Sequence, residues 1–313
     1  MPGKKAFLFP GQGSQYVGMG RDMFDEFDEA KEIFEQVDEI CQRPISRLCF
    51  EGPLEELTLT VNLQPAVTAV NLVCLSAVKN SGISADISAG HSLGEYAALH
   101  SAGVITGYDA LRLVQKRGEL MHRESLENPG MMTAVLGLEI DAIADIVDRA
   151  AGKGVVAVAN HNTARQIVIT GEAEALNHAA DLIRDKRGKA VPLKVSGAWH
   201  CSLMKNAVED FRAFMKEIAF SSPGGGILFN STAGTEDDPE AIKRIMADQL
   251  ISPVRWYDII CEMLNNGVDT FVEIGPKRVL SGLLQKIIPE DSGAGVYNVE
   301  DLKGLASLLE GVK

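Results

Sequence analysis

The sequence predicts an α/β protein, with a large core built on a mainly parallel sheet and a small unit inserted in its middle. Three observations carry this. Apolar runs of strand length alternate with segments of helical periodicity toward both ends of the chain, the pattern of a parallel sheet covered by helices. The middle departs from that alternation and reads strand, helix, strand, strand, helix, strand. Between the first part and the middle stands Gly90-His91-Ser92-Leu93-Gly94, a G-x-S-x-G pattern between an apolar strand and a helix-forming segment. In that context the pattern marks a sharp strand–turn–helix elbow.

The elements follow in order. Ala6-Phe7-Leu8-Phe9 reads as a buried strand stopped by Pro10-Gly11-Gln12-Gly13. Phe24, Phe27, Phe34 and Val37 recur at helical spacing. Pro65 suits the first turn of a helix running through Val70 and Leu75 toward Gly82. A strand ending Ile87-Ser88-Ala89 and a helix from Glu95 flank the elbow, and residues 108–121 form the next helix. After Asn128-Pro129-Gly130 come strands at 131–137, 155–160, 166–171 and 190–195, with helices at 141–151 and 173–187. That βαββαβ order is the ferredoxin-like unit. The predicted boundaries are 129–196 for this inserted subdomain, with 1–128 and 197–313 forming the large α/β-hydrolase-like domain. The alternation resumes with a helix at 202–215, strands at 227–230, 270–274 and 296–299, and a closing helix at 302–309.

Composition narrows the function classes. At 46% hydrophobic and 23% charged, the 313 residues describe an ordinary globular chain long enough for a large core and for two domains. A net charge of −13 argues against nucleic acid as a partner. Lys4-Lys5 is followed by only four apolar residues before Pro10, too few for a signal peptide. No run approaches the roughly 18–20 apolar residues of a membrane helix, so no membrane partner is expected. The five cysteines are scattered and form no C-x-x-C pair. Neither a disulfide frame nor a zinc or other metal site is suggested, and reduced thiols in a cytoplasm are the simplest reading.

The elbow carries the chemistry. Its turn admits only small residues on either side, hence two glycines, and it sets the Ser92 hydroxyl at a helix N-terminus, where backbone N–H groups favour negative charge. A developing oxyanion suits that place. The alternative is a glycine-rich turn with a surface serine. A nucleophilic serine needs a base, and there are six histidines. His91 adjoins Ser92 and should point away from its hydroxyl. His100, His122 and His178 fall in predicted helices, and His161 follows a strand of the inserted unit. His200, where the inserted unit ends and the large one resumes, has the best location, either as a structural residue or as the base. Arg117 lies on the apolar stripe Ala110, Val114, Gly118, Met121. An inward charge needs a partner, either an internal acid or the carboxylate of a ligand, which a guanidinium fork fits.

Over essentially its whole length the chain resembles the malonyl-CoA:acyl carrier protein transacylases. The resemblance rests on the joint order of Phe9-Pro-Gly-Gln-Gly-Ser14, Gln64-Pro65-Ala66, Gly90-His-Ser-Leu-Gly-Glu95, Arg117, Asn160 with Asn162, Gly197-Ala-Trp-His200, Gln249-Leu-Ile-Ser-Pro-Val-Arg-Trp256 and Glu273-Ile-Gly-Pro276. It implies a ping-pong acyltransferase with Ser92 as nucleophile and His200 as base and then acid. The backbone carbonyl of Gln249, not a carboxylate, orients His200. The N–H groups of Gln12 and Leu93 form the oxyanion hole. Arg117 pairs with the malonyl carboxylate, and Gln64, Asn160, Asn162 and Trp199 contact substrate.

The resemblance further implies malonyl-CoA and holo acyl carrier protein as substrates, no metal or organic cofactor, a cytoplasmic monomer and a role in fatty-acid elongation. Malonyl loading in a polyketide-type pathway is the alternative. Two positions depart from the family pattern: Trp199 stands where phenylalanine is usual, and Lys277 where glycine often follows the proline. A basic cluster for the carrier is sought at Lys186, Arg187 and Lys189. A hydrolase of the α/β type would carry its histidine near the C-terminus and an HGGG-type loop, neither of which is present. A silent docking subunit would not need Ser92, His200 and Arg117 together.

Overall fold

The computed structural model describes residues 3–312; residues 1, 2 and 313, at the ends of the predicted large domain, lie outside it. Nine strands occur among the described residues: β1 (Lys4–Phe9), β2 (Ile87–Gly90), β3 (Met131–Leu136), β4 (Val156–Thr163), β5 (Gln166–Gly171), β6 (Lys189–Pro192), β7 (Gly226–Ile227), β8 (Val268–Ile274) and β9 (Gly295–Val299). They form two sheets. The larger has the order β7-β2-β1-β8-β9 and every pair in it is parallel. The smaller has the order β4-β5-β3-β6 and is antiparallel throughout. The fold class is α/β, as the alternation predicts.

Side-chain alternation explains why the large sheet is covered on both faces. Successive residues of a strand point to opposite sides. Phe7 and Phe9 pack into one core cluster, with the helices Thr60–Asn80, Glu95–Ser101 and Gly107–Glu127. Ala6 and Leu8 pack into a second cluster, with Trp256, Ile259, Ile260 and Met263 of the helix Trp256–Asn265. All four are fully buried, as a central parallel strand requires. The small sheet buries one face under the helices Ile140–Ala150 and Ala173–Asp185. Its other face, which includes Met132 and Val168, joins the first cluster of the large core.

Several element boundaries differ from the sequence expectation for identifiable reasons. The Phe24–Val37 periodicity spans two helices, Arg21–Glu26 and Asp28–Cys41, separated by an extended Phe27. Pro65 is not in the first turn, because its helix begins at Thr60. A proline there leaves the carbonyl of Val61 without its helical donor, and the Arg43 guanidinium donates to that oxygen at 3.1 Å. The same 21-residue helix is long and apolar enough to cross a membrane, which the sequence reading did not anticipate, but 89% of its apolar window is buried inside the protein. The strand expected at 227–230 is only Gly226–Ile227. Phe229 N–H turns to the Gly234 carbonyl, and Asn230 N–H donates to Glu95 Oε1.

The register carries the functional consequence. Phe9 lies opposite Gly90, and Leu8 opposite Glu273. The loops after β1, β2 and β8 therefore emerge side by side at the carboxyl edge of the sheet, where α/β folds place their ligands. Strand β4 also reaches this edge: His161 N–H donates to Val254 O at 2.9 Å, and Val254 N–H donates to Ala159 O at 2.8 Å.

Candidate active site

The elbow is built as its glycines require. A Cβ on Gly90 would lie 1.9 Å from the carbonyl carbon of Gly94, and one on Gly94 would lie 2.0 Å from the carbonyl oxygen of Phe9. Ser92 between them has φ 50°, a left-handed conformation that a serine rarely adopts. The strain is held by Asn230: its Oδ1 accepts from Ser92 N–H at 2.6 Å and its Nδ2 donates to Gly90 O at 2.7 Å. The hydroxyl is thereby presented at the first turn of the short helix Ser92–Gly94.

His200, also at positive φ (63°), places Nε2 2.8 Å from Ser92 Oγ. Its Nδ1 lies 2.9 Å from Gln249 O and 3.1 Å from Ser252 O. Carbonyls only accept, so Nδ1 carries the proton and Nε2 has its lone pair toward the serine. Burial, reinforced by the nearby Arg117 charge, pushes the imidazole pKa down to about 3. The ring is thus neutral and competent as a base. Because a depressed pKa keeps histidine unprotonated below its usual 6.5, the acid limb of kcat/KM, which reports the free enzyme, is expected well below pH 6. A pH–rate profile checks this, and an acid limb at pH 6–7 contradicts it.

Arg117 is 1% exposed. It donates from Nη1 to Gln64 Oε1 at 3.0 Å, and from Nη2 to Ser92 Oγ at 3.0 Å and to Gln249 Oε1 at 2.9 Å. All three acceptors are uncharged, and no carboxylate lies within ion-pairing distance among the described residues. Its Nε has no hydrogen-bond partner among the described residues. The internal ion pair considered from sequence is therefore not formed. A cleft of about 110 Å³ opens onto this cluster, lined by Gln12, Leu93, Met121, Met132, Asn160, Leu193, Val195 and Trp199 as well as His91, Ser92, Arg117 and His200.

Most expected residues meet here, and one does not. Ser92, His200, Arg117, Gln12, Leu93, Asn160 and Trp199 line the cleft, while Gln64 and Gln249 stand behind Arg117. Asn162 Oδ1 instead accepts from His91 Nε2 at 2.8 Å, tying β4 to the elbow. Of the basic cluster, Lys186 is paired with Asp145 at 3.1 Å, whereas Arg187 and Lys189 are exposed. Lys277 has φ 61°, which accounts for the usual glycine there, and its Nζ reaches Gly13 O at 3.2 Å. Among the described residues no group of three or more His, Cys, Asp or Glu could hold a metal ion.

Sequence reasoning assigned no role to Glu95, Asn230, Ser252 or the Gln249 side chain. Glu95 was visible only as the last residue of the elbow motif. Asn230 lies 138 positions from the serine it holds, and nothing local to it signals that contact.

Comparisons with known proteins give the family and the fold. The model of the acyl transferase domain family matches residues 6–302. The chain is 41% identical over 286 residues to a malonyl CoA-acyl carrier protein transacylase of Bacillus subtilis (strain 168), covering 91% of this chain and 90% of that protein. A crystal structure of a malonyl CoA-acyl carrier protein transacylase from Clostridium perfringens superimposes with a TM-score of 0.92 at 38% identity, covering 98% of this chain and 96% of that one. A malonyl-transacylase in complex with a type II PKS acyl-carrier protein superimposes with a TM-score of 0.93 at 35% identity, covering 98% and 99%.

Proposed function

Because this chain belongs to the acyl transferase domain family, we propose that its Ser92–His200–Arg117 cluster moves malonyl from coenzyme A to the phosphopantetheine thiol of acyl carrier protein. The activity itself follows from the family and from relatives at 36–41% identity over most of the chain. The observation that carries the residue roles is the convergence on Ser92 Oγ of a neutral imidazole at 2.8 Å and an ion-unpaired guanidinium at 3.0 Å.

In the first half-reaction Ser92 Oγ attacks the thioester carbonyl of malonyl-CoA and its proton passes to His200 Nε2. The oxyanion is received by the N–H groups of Gln12 and Leu93, a role supported by their place in the cleft wall. The C–S bond breaks, and His200 returns the proton to the departing coenzyme A thiolate. In the second half the carrier thiol gives its proton to His200 and attacks the malonyl ester, and Ser92 leaves with the proton. Charge-assisted donation from Nδ1 to the Gln249 and Ser252 carbonyls supports the imidazolium that forms between steps. Arg117 exchanges its contact with the serine hydroxyl for the malonyl carboxylate, with Gln64 and Gln249 fixing its plane. Asn160 touches the acyl group from β4, and Asn162 acts through His91. The thioester supplies the activation, so the scheme calls for no metal or organic cofactor.

The reading includes a monomeric enzyme, a place in the cytoplasm that five unpaired cysteines support, and a product that feeds fatty-acid elongation. Polyketide-type malonyl loading is the second reading, favoured by the similarity to the polyketide-carrier transacylase. Incubating the protein with a panel of acyl-CoAs and each holo carrier, read by intact-protein mass, tests both. Free malonate without a lasting acyl-enzyme would instead indicate a hydrolase.

Trp199 supplies a specificity prediction. It is 4% exposed, lines the cleft with Met121 and Met132, and packs so closely on Gly197 that a Cβ there would meet its ring at 2.6 Å. A carboxylate-binding arginine does not distinguish malonyl from methylmalonyl, so shape must. The kcat/KM ratio favouring malonyl is expected to be of order 10 to 200, the worth of one methyl in an apolar pocket. Trp199→Ser should narrow it. Loss of Tm and rate at a fixed ratio would show that Trp199 acts only as core.

A further inference from the structure

Behind the three residues of the reaction lies a buried carboxylate that the mechanism does not use. Glu95 is fully buried and Gln249 is 1% exposed. Glu95 Oε1 accepts from Asn230 N–H at 2.7 Å, and its Oε2 accepts from Gln249 Nε2. Gln249 Nε2 also donates to Ser92 O at 3.1 Å, while its Oε1 accepts from Arg117. Asn230 in turn holds the Ser92 N–H and the Gly90 carbonyl. Both groups that hydrogen-bond to the Glu95 carboxylate are donors, so the site suits an acceptor with two oxygens.

A carboxamide has two faces, and Gln249 could present either to Arg117. A guanidinium only donates, so only one orientation serves it. We propose that Glu95 is a positioning residue that fixes the Gln249 carboxamide with its oxygen toward Arg117, and so keeps the guanidinium aimed at the acyl group on Ser92. This inference rests on the reading of Arg117 as the malonyl receptor. The same carboxylate braces the strained elbow through Asn230, so one buried acid sets both the nucleophile and the arginine. Burial pushes the Glu95 carboxyl up to about 7, while Asn230, Gln249 and Arg117 draw it back toward ionisation.

Glu95→Gln preserves shape but puts a carboxamide against two donors. One of its ends must then face a donor with a donor, and the least disruptive relief is a turn of Gln249 that sets its NH2 against Arg117. Acylation of Ser92 by malonyl-CoA and by acetyl-CoA, read by intact mass, tests the inference. The malonyl-to-acetyl ratio of kcat/KM should fall roughly tenfold to a hundredfold, the scale of a lost charge-assisted hydrogen bond, with acetyl transfer changed far less. In a Gln249→Met background the same substitution should no longer move the ratio, since the relay is already cut.

Equal losses for both acyl groups, or no change, would overturn the proposal. If Glu95→Gln does not fold, Glu95→Asp, which keeps an acceptor but shortens its reach to Gln249, takes its place: a fallen ratio with acetyl transfer changed far less supports the relay, and an unchanged ratio overturns it. Arg117→Ala is run alongside. If that variant leaves the ratio intact, the reading of Arg117 fails. If it collapses the ratio while Glu95→Gln does not, only the role of Glu95 fails.

Discussion

Ser92→Ala is expected to abolish both the covalent malonyl-enzyme and net transfer to the carrier. The substitution removes one oxygen and leaves the scaffold standing. Asn230 still holds the residue-92 N–H, and Arg117 retains Gln64 and Gln249. The oxyanion donors remain but have nothing to stabilise, because ping-pong transfer has no route without a nucleophile. Cys201, next in sequence to His200, is no substitute: it is buried, its Sγ is turned to the Ala198 carbonyl at 3.4 Å, and burial pushes its thiol pKa up. Intact mass after incubation with malonyl-CoA gives the answer. A malonyl adduct on Cys201 or elsewhere, with transfer preserved, would refute the assignment.

Arg117→Ala should cost malonyl transfer about 2–4 kcal/mol in kcat/KM, the scale of a desolvated charge pair. Acetyl transfer should suffer far less, since acetyl offers no carboxylate. Three neutral acceptors hold the guanidinium in the free protein, so the substrate brings the first anion within its direct reach. A second effect follows from position. The Arg117 charge is among the causes that depress His200, so the acid limb of the variant should move up in pH. Equal losses for acetyl and malonyl, with a fall in Tm, would mark Arg117 as structural.

The parts of this molecule that the sequence disclosed are those fixed locally. Phe7 and Phe9 alternate with Ala6 and Leu8 because the sheet is covered on both faces. Gly90 and Gly94 are small because the backbone passes within 2.0 Å of where their Cβ atoms would be. Arg117 was conspicuous because a charge sat on an apolar stripe. What escaped depended on distant partners. Pro65 looked like a helix start because the donor that repairs its missing bond comes from Arg43. The segment 228–230 looks like strand because its apolar residues are buried, yet beyond Leu228 its backbone leaves the sheet to brace the elbow. The sequence points to Gln249 only through its carbonyl, and the three contacts of its carboxamide leave no trace in a one-dimensional pattern.

The strand β4 has one more consequence. It pairs with β5 along most of its length, yet its last residues are bonded on both sides of Val254 and, through Asn162, to His91. The two walls of the cleft are therefore stitched together beside the serine, and prising them apart would sacrifice those bonds. A narrow cleft admits only what is slender. Coenzyme A and a whole carrier protein differ enormously in bulk, but each ends in the same thin pantetheine arm. On the proposed function, a cleft tied in this way can serve both substrates, because each needs to insert only that arm.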